Sequence, residues 1–209
     1  MITIINYGAG NLFSVEKAFA ALGAEVCVSS NSADILSSDK IVLPGVGAFG
    51  DCMRQLSASG LIPAIKESVA KGIPLLGICV GLQILFEGSE ESSGVEGLNL
   101  LRGRVRKISA PHEKIPHMGW NALEFAENHR EKGLFKGIPQ SSYVYFVHSY
   151  YVVPEDMSIV SSSCYYGEKI TASISTENIM ATQFHPEKSG DVGLNIIQNF
   201  IHNGSEGST

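Results

Sequence analysis

The chain has 209 residues, 44% of them hydrophobic, which is enough for one well-cored domain that needs no disulfides. Its net charge is -6 with both signs interspersed, which excludes the basic stripe of a nucleic-acid binder, and no apolar run approaches the roughly 18 residues that span a bilayer. Cys27, Cys52, Cys79 and Cys164 lie far apart without C-x-x-C spacing and read as reduced thiols of a cytoplasmic protein.

Residues 1–6 form an apolar run that reads as a buried strand, with no basic segment ahead of it, so no targeting peptide is expected. Residues 11–22 carry a helical face of Leu12, Val15, Phe19 and Leu22. Val26 and Val28 mark a short strand and residues 40–43 another. Residues 49–56 and 61–69 read as helices, and Gly72-Ile73-Pro74 restarts the chain before a further strand. Such alternation predicts a mostly parallel sheet flanked by helices, with ligands at the carboxyl ends of the strands. From about residue 100 to 182 the chain turns β-rich, over residues 105–108, 122–125, 143–147, 158–165 and 170–175. These strands are expected to extend the central sheet in antiparallel fashion rather than build a second domain. A closing helix begins near Asp191, and residues 203–209 read as a flexible tail after one domain at 1–202. His112 and His117 fall in a loop-like stretch and read as solvated or interfacial. No histidine has metal-ligand spacing with a cysteine or carboxylate, so no metal and no other cofactor is expected.

Chemistry concentrates at two places. Leu75-Leu76-Gly77-Ile78-Cys79-Val80-Gly81 is an apolar run ending in G-x-C-x-G, followed at once by the apolar positions Leu82, Ile84, Leu85 and Phe86. This reads as a nucleophile elbow with cysteine at the strained corner between strand and helix. The N–H groups of a helix beginning there favour a thiolate. Read alone, Cys79 is equally a small buried hydrophobe. Near the other end stands Gln183-Phe184-His185-Pro186-Glu187-Lys188. The residue before a proline is held extended, which places His185 and Glu187 two apart on one face. A carboxylate so placed orients an imidazole, leaving its second nitrogen to take a proton from a thiol. Read alone, this pair is more often a surface histidine beside a solvated carboxylate at a strand end.

Together, G-I-C-x-G-x-Q and the C-terminal Q-F-H-P-E resemble the class I, triad-type glutamine amidotransferases. Asn6-Tyr7-Gly8-Ala9-Gly10-Asn11-Leu12 and Pro116-His117-Met118-Gly119-Trp120-Asn121 are similar to segments of the glutaminase subunits of imidazole glycerol phosphate synthases. The resemblance runs from residue 1 to about 201 and implies a class I amidotransferase-like fold. It implies a catalytic triad of Cys79, His185 and Glu187, and an oxyanion hole from the Val80 N–H and the turn Gly45-Val46-Gly47. Glutamine is expected against Gln83, Glu91, Ser149 and Tyr150, with His148 structural. The implied partner is a (β/α)8-barrel cyclase subunit in a heterodimer, which takes up the ammonia to form imidazole glycerol phosphate and AICAR. Trp120, and less strongly Tyr7, Asn11 and Lys188, are the interface candidates. The glycine turn is expected to switch, leaving the isolated chain a poor glutaminase. Other readings stay open: a paralogue that feeds a different synthase such as a surface-sugar amination system, a silent regulatory subunit, or a cysteine peptidase or esterase built on the same elbow.

Overall fold

Apolar runs that must hide both faces become the central strands of a sheet. In the computed structural model, which describes residues 1–202, the first half of the chain runs β1 (Ile2–Ile5), α1 (Leu12–Ala21), β2 (Val26–Ser29), α2 (Ser32–Leu36), β3 (Lys40–Gly45), α3 (Phe49–Ser59), α4 (Ile62–Ala70), β4 (Leu75–Cys79) and α5 (Val80–Gln83). The second half supplies β5 (Gly103–Lys107), β6 (His117–Ala122), β7 (Glu124–Phe125), β8 (Tyr143–His148), β9 (Tyr150–Pro154), β10 (Val160–Tyr166), β11 (Glu168–Ser175), β12 (Ile179–Thr182) and α6 (Gly190–His202). The tail expected at residues 203–209 lies outside the described residues.

The main sheet has the order β2-β1-β3-β4-β12-β11-β10-β7. Its first five strands are parallel and the last three antiparallel. β4 sits at the centre with every residue buried. Two helix pairs carry much of the cover. α1 meets α6 through Phe19 and Phe200, whose rings cross edge-on at 6.3 Å, and α4 is tied to α2 by Ser68 Oγ donating to the Ile35 carbonyl at 3.3 Å. Asn11 caps α1 by accepting from the Ser14 N–H at 3.4 Å. α2, capped by Asn31, is too short to show a period in the sequence.

Two further expectations differ from the structure. The apolar positions 82–86 predict a helix through Phe86, yet α5 ends at Gln83. The loop at 96–101 takes over the next carbonyls: Leu98 N–H donates to Ile84 O at 2.7 Å, and Leu100 and Leu101 donate to Leu85 O at 3.0 and 3.1 Å. The N–H groups of Leu85 and Phe86 turn back only three residues, to Leu82 O and Gln83 O at 3.3 and 3.2 Å, so the chain leaves the helix in a tight turn whose free carbonyls the loop satisfies. A four-residue helix offers free N–H groups but little macrodipole, so the dipole argument for the thiolate weakens. The second difference lies in the β-rich half. Only β7, β10 and β11 extend the sheet in antiparallel fashion; β5 pairs with β9 and β6 with β8 as separate two-stranded ribbons. The stretch read as a loop around His117 and Trp120 is strand β6, in register His117↔His148 and Trp120↔Tyr145. Among the described residues no helix is long and apolar enough to cross a membrane.

Candidate active site

Strands β3, β4 and β12 end side by side, with Gly45 opposite Cys79 and Thr182 opposite Ile78. Cys79 closes β4 at φ 56, ψ -110, a left-handed conformation costly for a residue with a side chain. The corner is tight enough that a Cβ on Gly81 would lie 1.9 Å from the Leu43 carbonyl oxygen, which is why α5 begins on a glycine-spaced turn. The strain at Cys79 coincides with a cleft of about 400 Å³ that Cys79 and Val80 line together with His185.

His185 reaches this cleft from the loop after β12. Its N–H donates to Tyr145 O at 3.0 Å, and its own carbonyl accepts from Ser189 Oγ at 2.7 Å. Ser189 Oγ in turn accepts from Tyr145 N–H at 2.9 Å, so the backbone is clamped from β8. His185 Nδ1 and Glu187 Oε1 are 2.8 Å apart. The pairing expected of the two residues is present, but for another reason. His185 is extended, while Pro186–Lys188 form a 3-10 turn that folds the carboxylate back onto the ring. Both side chains are buried, at 2% and 1% exposure. Two buried atoms here lack hydrogen-bond partners, His185 Nε2 and Glu187 Oε2, and such orphans mark strain or function. Burial works to lower the His185 pKa. Its contacts with Cys79 and Glu187 outweigh burial and push it up to about 9. The Cys79 sulfur is thus close enough to favour charge on the ring.

The turn after β3 faces the same space. Val46 and Gly47 line the cleft, while Gly45 sits behind them, buried against α5. Gly47 adopts φ +93, which a side chain resists. The Cys52 thiol donates to the Val46 carbonyl at 3.3 Å and holds the turn from α3.

Gln83, Glu91, Ser149 and Tyr150 all line the cleft, as does Lys188. Gln83 is 3% exposed and donates through Nε2 to Tyr150 O at 3.0 Å and Gln183 Oε1 at 3.1 Å. Glu91 is no freely solvated loop carboxylate: its Oε2 accepts from the Phe49 N–H at 2.8 Å, and Ser92 Oγ accepts from Gly50 N–H at 3.0 Å. Together they cap α3, whose own N-cap residue, Ala48, has no side chain able to do so.

The interface candidates separate. Trp120 is 55% exposed on β6 beside Met118 at 62%, and Lys188 is exposed. Asn11 is half-buried as a helix cap. Tyr7, by contrast, is buried, with its hydroxyl donating to Pro44 O at 2.8 Å, so it buttresses the glycine turn from inside rather than facing a partner. His117 is also corrected: it is 2% exposed and stacked between Phe146 and Tyr166 at 4.7 and 4.1 Å. Its Nδ1 meets His148 Nε2 at 3.0 Å. Burial pushes His117 down to about 4 and His148 to about 3, the latter also lowered by its histidine neighbours, so both are neutral. Ser189, Pro116 and Gln183 also shape the site without a motif of their own in the sequence. For Gln183 a signal existed: it lies two residues before His185, just after β12 ends at Thr182.

A family model described as glutamine amidotransferase class-I matches residues 3–203. Imidazole glycerol phosphate synthase subunit HisH of Syntrophotalea carbinolica is 48% identical over 206 residues, covering 96% of this chain and 98% of that protein. The HisH subunit of Methanocaldococcus jannaschii is 48% identical over 201 residues, again covering 96% and 98%. The solved structure of PurLQS from Thermotoga maritima superposes with a TM-score of 0.73 at 19% identity, covering 96% of this chain and 97% of the matched one. That similarity bears on the fold alone.

Proposed function

The chain belongs to the class I glutamine amidotransferases, and within them to the HisH subunits of imidazole glycerol phosphate synthase; from that premise we propose how its residues release ammonia from glutamine for histidine biosynthesis. The observation that carries the reading is the strained Cys79 in a cleft shared with the buried His185–Glu187 pair.

Cys79 attacks the side-chain amide carbon of glutamine as a thiolate, with His185 holding the proton on Nε2. The oxyanion that forms is met by the Val80 N–H and by a donor from the turn Gly45-Val46-Gly47. His185 then gives its proton to the departing nitrogen, the C–N bond breaks, and ammonia leaves a glutamyl thioester on Cys79. Water, deprotonated by the same imidazole, attacks the thioester and releases glutamate and the free thiol. Glu187 fixes Nδ1 as the protonated nitrogen and stabilises the imidazolium. Glu91 offers its carboxylate to the substrate ammonium, and Gln83, Ser149 and Tyr150 complete the glutamine site. The catalytic domain spans residues 1–202 and works in the cytoplasm.

Ammonia released into water becomes ammonium and is lost as a nucleophile, so the site must discharge into a partner subunit. We assign that partner as a (β/α)8-barrel cyclase, seated against the exposed Trp120 and Met118 with Lys188 and Asn11 nearby; exposed tryptophans are common interface anchors. The glycine turn, whose Gly47 sits at a positive φ that glycine adopts freely, ties turnover to docking. The test compares ammonia release from glutamine by the chain alone, with the co-purified barrel subunit, and with that subunit and its nucleotide substrate. Activity is expected to rise by about two to three orders of magnitude along the series, within reach of about 5.5 kcal/mol of differential binding. Cys79→Ala should abolish it while the complex still uses added ammonia. Glutamine hydrolysis surviving in Cys79→Ala would sink the nucleophile assignment, and equal rates in all three mixtures would sink the switch.

A further inference from the structure

The Cys79 sulfur has a neighbour that this mechanism leaves unused. Gln183 is fully buried, and its Nε2 lies 3.8 Å from Cys79 Sγ, within the longer reach at which sulfur accepts. Which end of that amide faces the sulfur is decided from elsewhere. The Tyr150 carbonyl can only accept, so the Gln83 atom 3.0 Å from it is the nitrogen. The second hydrogen of that nitrogen is then directed at Gln183, 3.1 Å away, which must offer its oxygen. Gln183 is left with its N–H group toward Cys79.

The Tyr150 carbonyl is itself fixed from the opposite side. His148 Nδ1 lies 2.9 Å from it and must carry the hydrogen. Because His148 is neutral, its Nε2 accepts from His117 Nδ1 at 3.0 Å, and His117 Nε2 accepts from Asn121 Nδ2 at 3.2 Å. Asn121, on β6, also donates to Tyr165 O on β10 at 2.9 Å, tying the series to the main sheet. Every hydrogen in the series has one direction available, and the hub is a carbonyl that cannot flip without breaking strand β9.

We propose that Gln183 is a positioning residue for the nucleophile: its amide N–H, aimed by Gln83 and the Tyr150 carbonyl, hydrogen-bonds the Cys79 sulfur and favours its thiolate form. A charge-bearing acceptor shortens and strengthens such a bond. With α5 too short to supply much dipole, this donor takes over part of the stabilisation that the elbow lacks. The other titratable groups facing the sulfur are His185, Tyr7 and Cys52. Only His185 among them brings positive charge. The inference rests on Cys79 being the nucleophile.

The test uses Gln183→Met, which keeps a similar volume but removes the donor, and Gln183→Glu, which keeps an acceptor for Gln83 but turns an acceptor toward the sulfur. Both are assayed in complex with the partner subunit. Iodoacetamide alkylation is followed by mass at the Cys79 peptide across pH, together with glutaminase kinetics. The alkylation profile is expected to move to higher pH by about one unit, so that alkylation near neutrality slows about tenfold. kcat should fall while KM for glutamine stays within about twofold. A filler role would leave the alkylation profile where it is, and an unchanged profile in a folded Gln183→Met overturns the proposal even if Gln183→Glu fails to fold. Alkylation reads the sulfur whether or not glutamine is hydrolysed, so an error in the nucleophile assignment would appear separately, in Cys79→Ala.

Discussion

Two histidine sites flank one cleft, and they have opposite charge states at nearly equal burial. His185 is 2% exposed and His148 6%. Burial favours the neutral ring at both. At His185 the Glu187 carboxylate and the Cys79 sulfur reverse that preference and raise the pKa to about 9. At His148 the Nδ1 partner is a peptide carbonyl and the Nε2 partner another neutral ring, and the pKa falls to about 3. Depth alone therefore does not make a histidine a proton carrier. A charged partner does, and without one the same ring becomes a rigid, directional spacer.

The most severe way to break the comparison is to remove that charge. Glu187→Gln keeps the shape but offers no carboxylate, so His185 should drop toward the behaviour of its neutral counterpart. kcat is expected to fall by about three to four orders of magnitude with the fold retained. Rate and thermal midpoint measured together decide the matter, since an unchanged rate would make Glu187 a bystander.

Removing a spacer should do the converse. His148→Phe leaves the His117 N–H without an acceptor and takes one donor from the Tyr150 carbonyl. A loss of about 2 kcal/mol is expected from the unsatisfied group, seen as a thermal midpoint lower by about 4–8 °C for a chain of this size. Turnover should fall far less than in Glu187→Gln. A matching collapse in kcat would mean that His148 also moves protons.

The smallest effect lies in the pH dependence of stability, where the two sites have opposite signs. The raised pKa of His185 contributes stability that is complete below the unfolded value near 6.5 and lost as pH rises through about 9. The lowered values of His117 and His148 contribute stability present above about 6.5 and lost as pH falls through about 4 and about 3. Denaturant midpoints across pH should fall on both arms. Glu187→Gln should flatten the alkaline arm and His148→Phe the acid arm; arms that respond to the opposite variants would refute the assignment of charge states.

Much of the architecture was legible because its signals are local. The apolar run into Cys79, the alternation of strands and helices up to residue 83, and His185 two residues from Glu187 all appear within short windows of the sequence. Apolar runs and periods report which segments must be buried and on which face. What windows cannot report is the partner across the fold. α5 gives way to a turn because loop 96–101 is there to satisfy the carbonyls of Ile84 and Leu85 beyond it. Tyr7 turned inward because Pro44, far along the chain, offers an acceptor. The stretch around His117 became a strand because β8 was there to pair with it. The same limit hid what Gln183 touches, since its two side-chain contacts lie 100 and 104 residues away. The sequence by itself determined the family, the elbow and the residues able to do the chemistry, since these depend on residue type and near spacing. Only the tertiary structure decided which buried rings carry charge and which way each amide points, because hydrogen-bond direction and local field are set by whatever the fold brings alongside.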